Sequence, residues 1–281
     1  MPAFSPDAAR SFSTTSVDQR VAAAERAASA PMPSPAEEMW RYSRIDELDL
    51  AGFTPSAPST TIEGGDGVVV RDGELVEVVD GPPPDLFAEL NTAFASPVVV
   101  RVPAGTVIAE PIVVTHHLTG AGTAAFPRLV IDAGEDAEVT VVERFTSAAD
   151  TYLLVVPVLH VRAAAAARVR YLGVNELDDR AWQIGHQQAV GDRDSTVLLS
   201  TVALGGHYAR VRTEARVAGR GASTRQVALY FAGGEQMHDF RTIQDHDAPH
   251  TTSDLLFKGA VQDSSRSVYT GLIKVREHAK G

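Results

Sequence analysis

Three histidines lie close together in the carboxy-terminal part of the sequence: His238, His246 and His250. Imidazole groups with aspartates beside them could bind iron, zinc or copper. If residues 240–244 form a strand, His238 and His246 face the same side of it. However, the spacing matches neither H-x-H nor H-E-x-x-H. We therefore expect structural hydrogen bonds around the turn at residues 247–249 and keep the metal site as the alternative.

Residues for other kinds of catalysis do not form a pattern in the sequence. The chain contains no cysteine, which excludes disulfides, thiolate nucleophiles and cysteine-ligated clusters. Ser195, Ser200 and Ser253 are not in a nucleophile-elbow context. His116 and His117 are adjacent, so on a strand they face opposite sides. We predict no catalytic residues and no enzymatic activity for this chain.

The composition sets the class of protein. The 281 residues include 25 Lys and Arg against 36 Asp and Glu, which gives a net charge of −11. An acidic chain is not expected to bind nucleic acid or an anionic membrane. No apolar run approaches the ~20 residues of a membrane span, and the first thirty residues lack the apolar core of a secretory signal. The prediction is a cytoplasmic protein.

The first third of the sequence is mixed in character. Residues 1–34 are rich in Ser, Ala and Thr, and we expect a flexible amino terminus and linker with a helix over residues 16–28. Ser34 followed by Pro35 is a typical helix start, and this helix would carry Trp40 on its apolar face. A short helix is predicted for residues 85–94. Residues 35–97 are therefore predicted to form a small helical or mixed region.

From residue 98 onward the sequence is a series of short β-branched runs separated by Gly, Pro and Asp. No helical period lies between them, so βαβ units are not supported. Many short strands indicate a sandwich, a barrel or a β-solenoid. Abundant small residues, as at 163–167, favour a solenoid because stacked coils approach closely. No strict repeat is visible in the sequence.

The carboxy-terminal part also resembles a known family. Its run is His238-Asp239-Phe240-Arg241-Thr242-Ile243-Gln244-Asp245-His246-Asp247-Ala248-Pro249-His250, and it continues to residue 253. This run, together with residues 258–271 and 273–275, resembles the core signature of the SufB/SufD family of the SUF iron–sulfur cluster assembly system. Residues 38–42, 90–94 and 110–112 are similar to the SufD branch of that family.

The resemblance implies a mainly β fold, with a right-handed parallel β-helix over residues 98–281 preceded by the small mixed region. It also implies a SufD-like scaffold subunit that acts in a complex with SufB and the ATPase SufC. No cofactor is expected on this chain alone. An iron–sulfur cluster, with flavin as a second candidate, is associated with the family's complex.

Family chains continue past the position of Gly281 with further coils and a helical region. The resemblance therefore implies a chain that lacks the SufC-docking helices, and we expect it to self-associate through its last coil. Two alternatives remain open at this point. One is a β-solenoid lyase or a cupin-like metal-dependent enzyme, and the other is a solenoid interaction protein with no link to iron.

Overall fold

A computed structural model describes residues 2–71, 74–81 and 84–280 of the chain. It is mainly β, and its body is a β-solenoid of about six turns with a small helical region at the amino terminus. The predicted solenoid fold is confirmed. Gly281, the last residue of the predicted β-helix, lies outside the described residues. Within the described ranges, the structure has no helix that is long and apolar enough to cross a membrane.

The strands of the described chain fall into two sheets. In chain order they are β1 (Thr54–Ser56), β2 (Ser59–Glu63), β3 (Val69–Arg71), β4 (Ser96–Val102), β5 (Ile112–Leu118), β6 (Thr123–Ala125), β7 (Pro127–Ala133), β8 (Glu138–Ser147), β9 (Leu153–Val155), β10 (Val158–Ala163), β11 (Arg168–Glu176), β12 (Trp182–Gly191), β13 (Thr196–Ala203), β14 (Tyr208–Val217), β15 (Ser223–Ala232), β16 (Met237–His246), β17 (Thr252–Val261) and β18 (Arg266–Val275). Sheet B contains β2, β5, β8, β11, β13, β15 and β17, and sheet A contains the others.

Each coil of the solenoid pairs in register with the coils before and after it. Along sheet A, Val100, Ile131, Val161, Ala189 and Ala215 occupy equivalent positions on successive parallel strands. All five side chains are buried. Successive residues of a strand face opposite sides, so a run of β-branched residues places every second side chain in the core. The interior of the solenoid is built from such rows.

One backbone position repeats at the turns that lead from sheet A to sheet B. A residue with positive φ stands there in each coil, and we call this set the turn column. It consists of Gly105, Asp136, Ala166, Asp194, Gly221 and His250, with φ between 54° and 76°. The turns also bond to one another: the Asp136 amide donates to the Ala165 carbonyl at 2.9 Å. The residue types at these positions differ, so the repeat is visible in the backbone conformation and not in the sequence.

The amino-terminal segment differs from expectation. Helices α1 (Pro6–Phe12) and α2 (Val17–Ser29) pack with α3 (Leu86–Phe94), and Arg20 of α2 is fully buried. Its guanidinium donates to the Ala95 carbonyl at 3.0 Å. The expectation of a flexible segment over residues 1–34 is therefore wrong, because α2 supplies a buried cation that ties it to α3. The helix predicted for residues 16–28 matches α2, and that for 85–94 matches α3.

The helix predicted to start at Ser34 is also wrong. Only a short 3-10 turn, Glu38–Trp40, is present there. The Glu37 amide donates to the Ser34 carbonyl at 2.9 Å, which closes a turn that no α-helix continues. The carbonyls of Met39 and Arg41 accept hydrogen bonds from arginine side chains of sheet A. An α-helix would need those carbonyls for its own backbone hydrogen bonds.

Candidate functional site

Strand β16 carries most of the signature, and it separates the three histidines. His238 and His246 both face the solenoid interior, as their parity predicts. Eight residues of extended strand put them about 26 Å apart. His250 follows in the turn column and is exposed. Across the described ranges, no group of three or more His, Asp or Glu side chains is placed to hold a metal ion.

His246 links the end of β16 to the turn after it. Its Nδ1 lies 2.8 Å from Thr251 Oγ1, and its Nε2 lies 2.9 Å from Ser253 Oγ. The Thr251 hydroxyl lies 3.0 Å from the Ala248 carbonyl and can donate to it. These contacts are the hydrogen bonds around the turn that the sequence predicts for His246.

His238 lies deeper in the interior and is fully buried. Its ring packs edge-on against Tyr230 and Phe240, with ring centroids 6.2 and 6.5 Å away. Neither ring nitrogen has a hydrogen bond of good geometry to a described residue. Burial lowers the pKa of His238, and the nearby Gly205 backbone offsets only part of this effect. His238 is therefore a neutral imidazole packed among apolar groups. Among the residues that the structure describes, neither His238 nor His250 makes a hydrogen bond to the turn.

The outward face of β16 holds a buried charged group that the sequence analysis missed. Asp239, Arg241, Arg210 and Tyr208 form it, and each side chain is at most 2% exposed. Asp239 accepts hydrogen bonds from Tyr208 at 2.8 Å, from Arg210 at 2.8 Å and from Arg241 at 2.7 Å. We call this set the Asp239 network. Burial, and then the Asp239 charge, raise the pKa of Tyr208 well above its usual value, so its hydroxyl stays a donor.

The Asp239 network fastens the segment around Trp40 to sheet A. Arg210 donates to the Met39 carbonyl at 2.7 Å, and its guanidinium lies 4.0 Å from the centre of the Trp40 ring. Arg241 donates to the Arg41 carbonyl. Two distant stretches that carry the family resemblance, residues 38–42 and 238–253, are therefore in contact. The pattern of a single strand gives no signal for this contact, because the bonded residues lie 171 and 200 positions apart in the sequence.

A second buried carboxylate lies inside the solenoid. Glu143 is 1% exposed and accepts a hydrogen bond from the Tyr171 hydroxyl at 2.7 Å. His116 Nε2 lies 3.1 Å from the same carboxylate, and its Nδ1 lies 2.9 Å from the Thr60 hydroxyl. Burial, followed by the Glu143 charge, raises the pKa of Tyr171 well above its usual value. His116 thus faces inward and His117 outward, as predicted, and the interior group joins β2, β5, β8 and β11.

The chain matches a family model over residues 116–281, described as "SUF system FeS cluster assembly, SufBD core domain". An iron-sulfur cluster assembly SufBD family protein of Mycobacterium bovis is 28% identical over 269 residues, which cover 89% of this chain and 66% of the relative. The iron-sulfur cluster assembly protein SufD of Escherichia coli is 25% identical over 232 residues, which cover 81% of this chain and 55% of the relative.

A SufBD family protein of Staphylococcus saprophyticus is 24% identical over 197 residues, which cover 69% of this chain and 42% of the relative. The chain thus spans just under two thirds of the length of the mycobacterial relative, and less of the other two. The region matched by the family model begins at His116 in β5, continues past the end of β18 and includes the Asp239 network.

Proposed function

The chain belongs to the SufB/SufD family of the SUF iron–sulfur cluster assembly system, and on this premise we propose that it is a SufD-like scaffold subunit. Its partners in this proposal are a SufB-like protein and a SufC-like ATPase, and its compartment is the cytoplasm. The observation that carries the proposal is the family match over residues 116–281, which include most of the solenoid.

The buried polar groups connect parts of the chain to one another, and this structural role supports a scaffold rather than an enzyme. The Asp239 network holds the amino-terminal segment, His246 holds a turn, and Glu143 joins four strands from inside. Each of these groups is engaged in hydrogen bonds within the chain. In this proposal iron and sulfide are the cargo of the assembled complex, and a flavin, where present, also belongs to that complex. This chain contributes surface and rigidity.

An apolar row on the outer face of sheet B supports a protein partner. Leu204, Leu229, Phe231 and Leu256 lie on neighbouring strands or just after them, and each is between 40% and 53% exposed. Their strand neighbours Ala228 and Tyr230 face the interior instead. Contiguous exposed apolar side chains are typical of surfaces that another protein covers.

The test is co-expression of this chain with SufB-like and SufC-like proteins, followed by affinity purification and measurement of bound iron and of the visible absorption of an iron–sulfur cluster. We expect a stable complex that accumulates a cluster. Burial of a phenylalanine contributes about 1.5–3 kcal/mol, so Phe231→Asp should weaken assembly tenfold or more.

Val107→Asp is the matched control for that variant. Val107 is 63% exposed and lies near the amino-terminal end of the solenoid, away from the apolar row. It should assemble like the wild type. Failure of the wild-type chain to co-purify with the SufB-like protein would refute the scaffold proposal, and equal losses in the two variants would refute the role of the apolar row.

A further inference from the structure

A cavity lies on the outer face of sheet A, beneath residues 74–81. It encloses about 330 Å³. Its floor is formed by Arg128 of β7, His160 of β10 and His186 of β12, and its roof includes Glu77. We call it the outer cavity. None of these residues takes part in the Asp239 network or in the apolar row of sheet B.

Arg128 brings a buried positive charge to this cavity. The residue is 3% exposed. One terminal nitrogen donates to the Thr92 hydroxyl at 3.0 Å and, at 3.5 Å, to Asn91 Oδ1, and the other donates to Glu77 Oε1 at 2.9 Å. The N–H at Nε has no hydrogen-bond partner in the described part of the chain. Arg128, which lines the cavity, therefore keeps an unused donor.

His160 lies beside it and is 5% exposed. Its Nδ1 makes no hydrogen bond within the described ranges, and the Glu77 carboxylate lies 3.5 Å away. Burial, then the positive charges of Arg128 and His186, lower the pKa of His160 to about 2. The imidazole is thus neutral, and the cation beside it is the guanidinium of Arg128. A buried cation of this kind attracts anions and repels metal cations.

Glu77 is the anion that fills part of this site in the structure. Its carboxylate contacts Arg128 and His160 and accepts a hydrogen bond from Gln19 at 3.3 Å. Its side chain is 45% exposed, and it stands on a segment without regular secondary structure. A half-exposed carboxylate on such a segment can move out into water when another anion takes over the pairing with Arg128, whereas Arg128 and His160 are fixed on strands.

We propose that the outer cavity is a binding site for a small oxyanion, either a carboxylate or a phosphate, whose charged group replaces the Glu77 carboxylate on Arg128 and His160. The guanidinium offers two N–H groups to the oxyanion, at Nε and at the nitrogen that now bonds Glu77. Paired N–H donors of this kind match the oxygen spacing of carboxylates and phosphates. The neutral imidazole supplies a further N–H. His186 borders the site, but its Nε2 already faces Glu214 at 3.2 Å.

The experiment titrates the 281-residue chain with inorganic phosphate and, separately, with acetate, by isothermal calorimetry. Glu77→Gln removes the competing carboxylate, and we expect it to bind at least one of the two anions about tenfold more tightly than the wild type. Tighter binding of phosphate assigns the site to phosphate-bearing molecules, and tighter binding of acetate assigns it to carboxylates. His160→Gln, added to Glu77→Gln, should reverse the gain.

Arg128→Gln should abolish binding, but it removes a buried charge and needs a folding check by circular dichroism. Arg162→Gln is the matched control, because Arg162 lies on the same strand as His160, is half-exposed and pairs with Asp132 instead. It should not change the affinity. The proposal is overturned if Glu77→Gln binds neither anion. It is also overturned if Glu77→Gln binds both anions only as tightly as the wild type does, or if adding His160→Gln leaves the affinity of Glu77→Gln unchanged.

Discussion

The negative charge of Asp239 compensates the positive charges of two buried arginines and makes their burial possible. Arg210 and Arg241 are each 2% exposed, and both donate to its carboxylate. Asp239→Asn keeps the shape of the side chain but leaves the guanidinium charges uncompensated. Breaking a buried pair in this way costs about 3–5 kcal/mol. We expect a loss of about 3 kcal/mol in the free energy of unfolding, measured by urea denaturation.

Asp254→Asn is the control for this prediction. Asp254 pairs with Arg225 at 3.0 Å, but both side chains are more than half exposed. Exposed pairs contribute about 0–1 kcal/mol, so this variant should stay close to the wild type. Similar losses in the two variants would show that the Asp239 network does not depend on burial.

His160 makes stability depend on pH in a defined window. Its pKa is about 2 in the folded chain against an ordinary value of 6.5. Below 6.5 the unfolded chain takes up a proton that the folded chain refuses, so stability falls as the pH falls from 6.5 toward 2. The slope from this residue is at most about 1.4 kcal/mol per pH unit.

The measurement compares urea denaturation of the wild type and of His160→Gln at about pH 7 and about pH 5. Glutamine has no such titration, so the variant should lose less stability over this interval. If both proteins lose the same amount, His160 is accessible to protons in the folded state.

At the scale of the element, the turn column contains a residue that is poorly suited to its conformation. Ala166 has φ of 58°, a region that costs an L-residue about 1–2 kcal/mol and glycine almost nothing. Glycine also adds freedom to the unfolded chain, which offsets part of this gain. We therefore expect Ala166→Gly to stabilise the protein by about 0.5–1 kcal/mol.

Thermal unfolding by circular dichroism tests this prediction. Ala165→Gly is the matched control, since Ala165 precedes Ala166 in the same turn but is not among the positive-φ residues. That variant should lower the melting temperature. A lower melting temperature in both variants would mean that the strain at Ala166 is smaller than the cost of the added chain freedom.

Strands with an apolar inward face were predictable from the sequence, and those with polar residues on the inward face were not. Strand β14 alternates inward Val211 with outward Arg210, and its run over residues 211–217 is visible in the sequence. Strand β12 was missed because its inward side chains include Gln183 and Gln187. These glutamines are acceptable inside the solenoid because they accept hydrogen bonds from Asn175 and Thr213. The hydrogen-bond partners of these glutamines lie on other strands, and the residue pattern of one strand does not show which residues those are.

The candidate site follows the same rule. His238, His246 and His250 suggested a cluster because they are near in sequence, but an extended strand separates such residues in space. The Asp239 network joins Arg210 to Met39 across 171 positions. No local pattern encodes a contact over that distance. The family resemblance identified both segments, and only the structure explains why they occur together.

At the scale of the whole molecule, strand β18 predicts association of this polypeptide. Tyr269, Leu272, Ile273 and Val275 are each 48–65% exposed, and within the described residues β18 pairs only with β16. An exposed strand edge with apolar side chains is a template for pairing with another chain. We expect the 281-residue chain to form dimers or larger species, detected by size-exclusion chromatography with light scattering.

Ile273→Lys should shift this equilibrium toward the monomer, because a charge at the exposed edge opposes strand pairing. Val107→Lys introduces the same charge at an exposed apolar residue far from β18, and it should leave the monomer fraction unchanged. A wild-type chain that stays monomeric at high concentration would contradict the prediction.

The in-register stacking of coils also has a consequence for how the chain folds during its synthesis. Every strand of the solenoid from β7 to β18 pairs with an earlier strand about one coil back along the chain. A coil that leaves the ribosome can therefore pair with a coil that is already folded, and the solenoid can fold during translation. The segment around Trp40 is made early but receives its hydrogen bond from Arg241 some 200 residues later. Synthesis of β16 thus completes the Asp239 network, which fastens this segment to the solenoid.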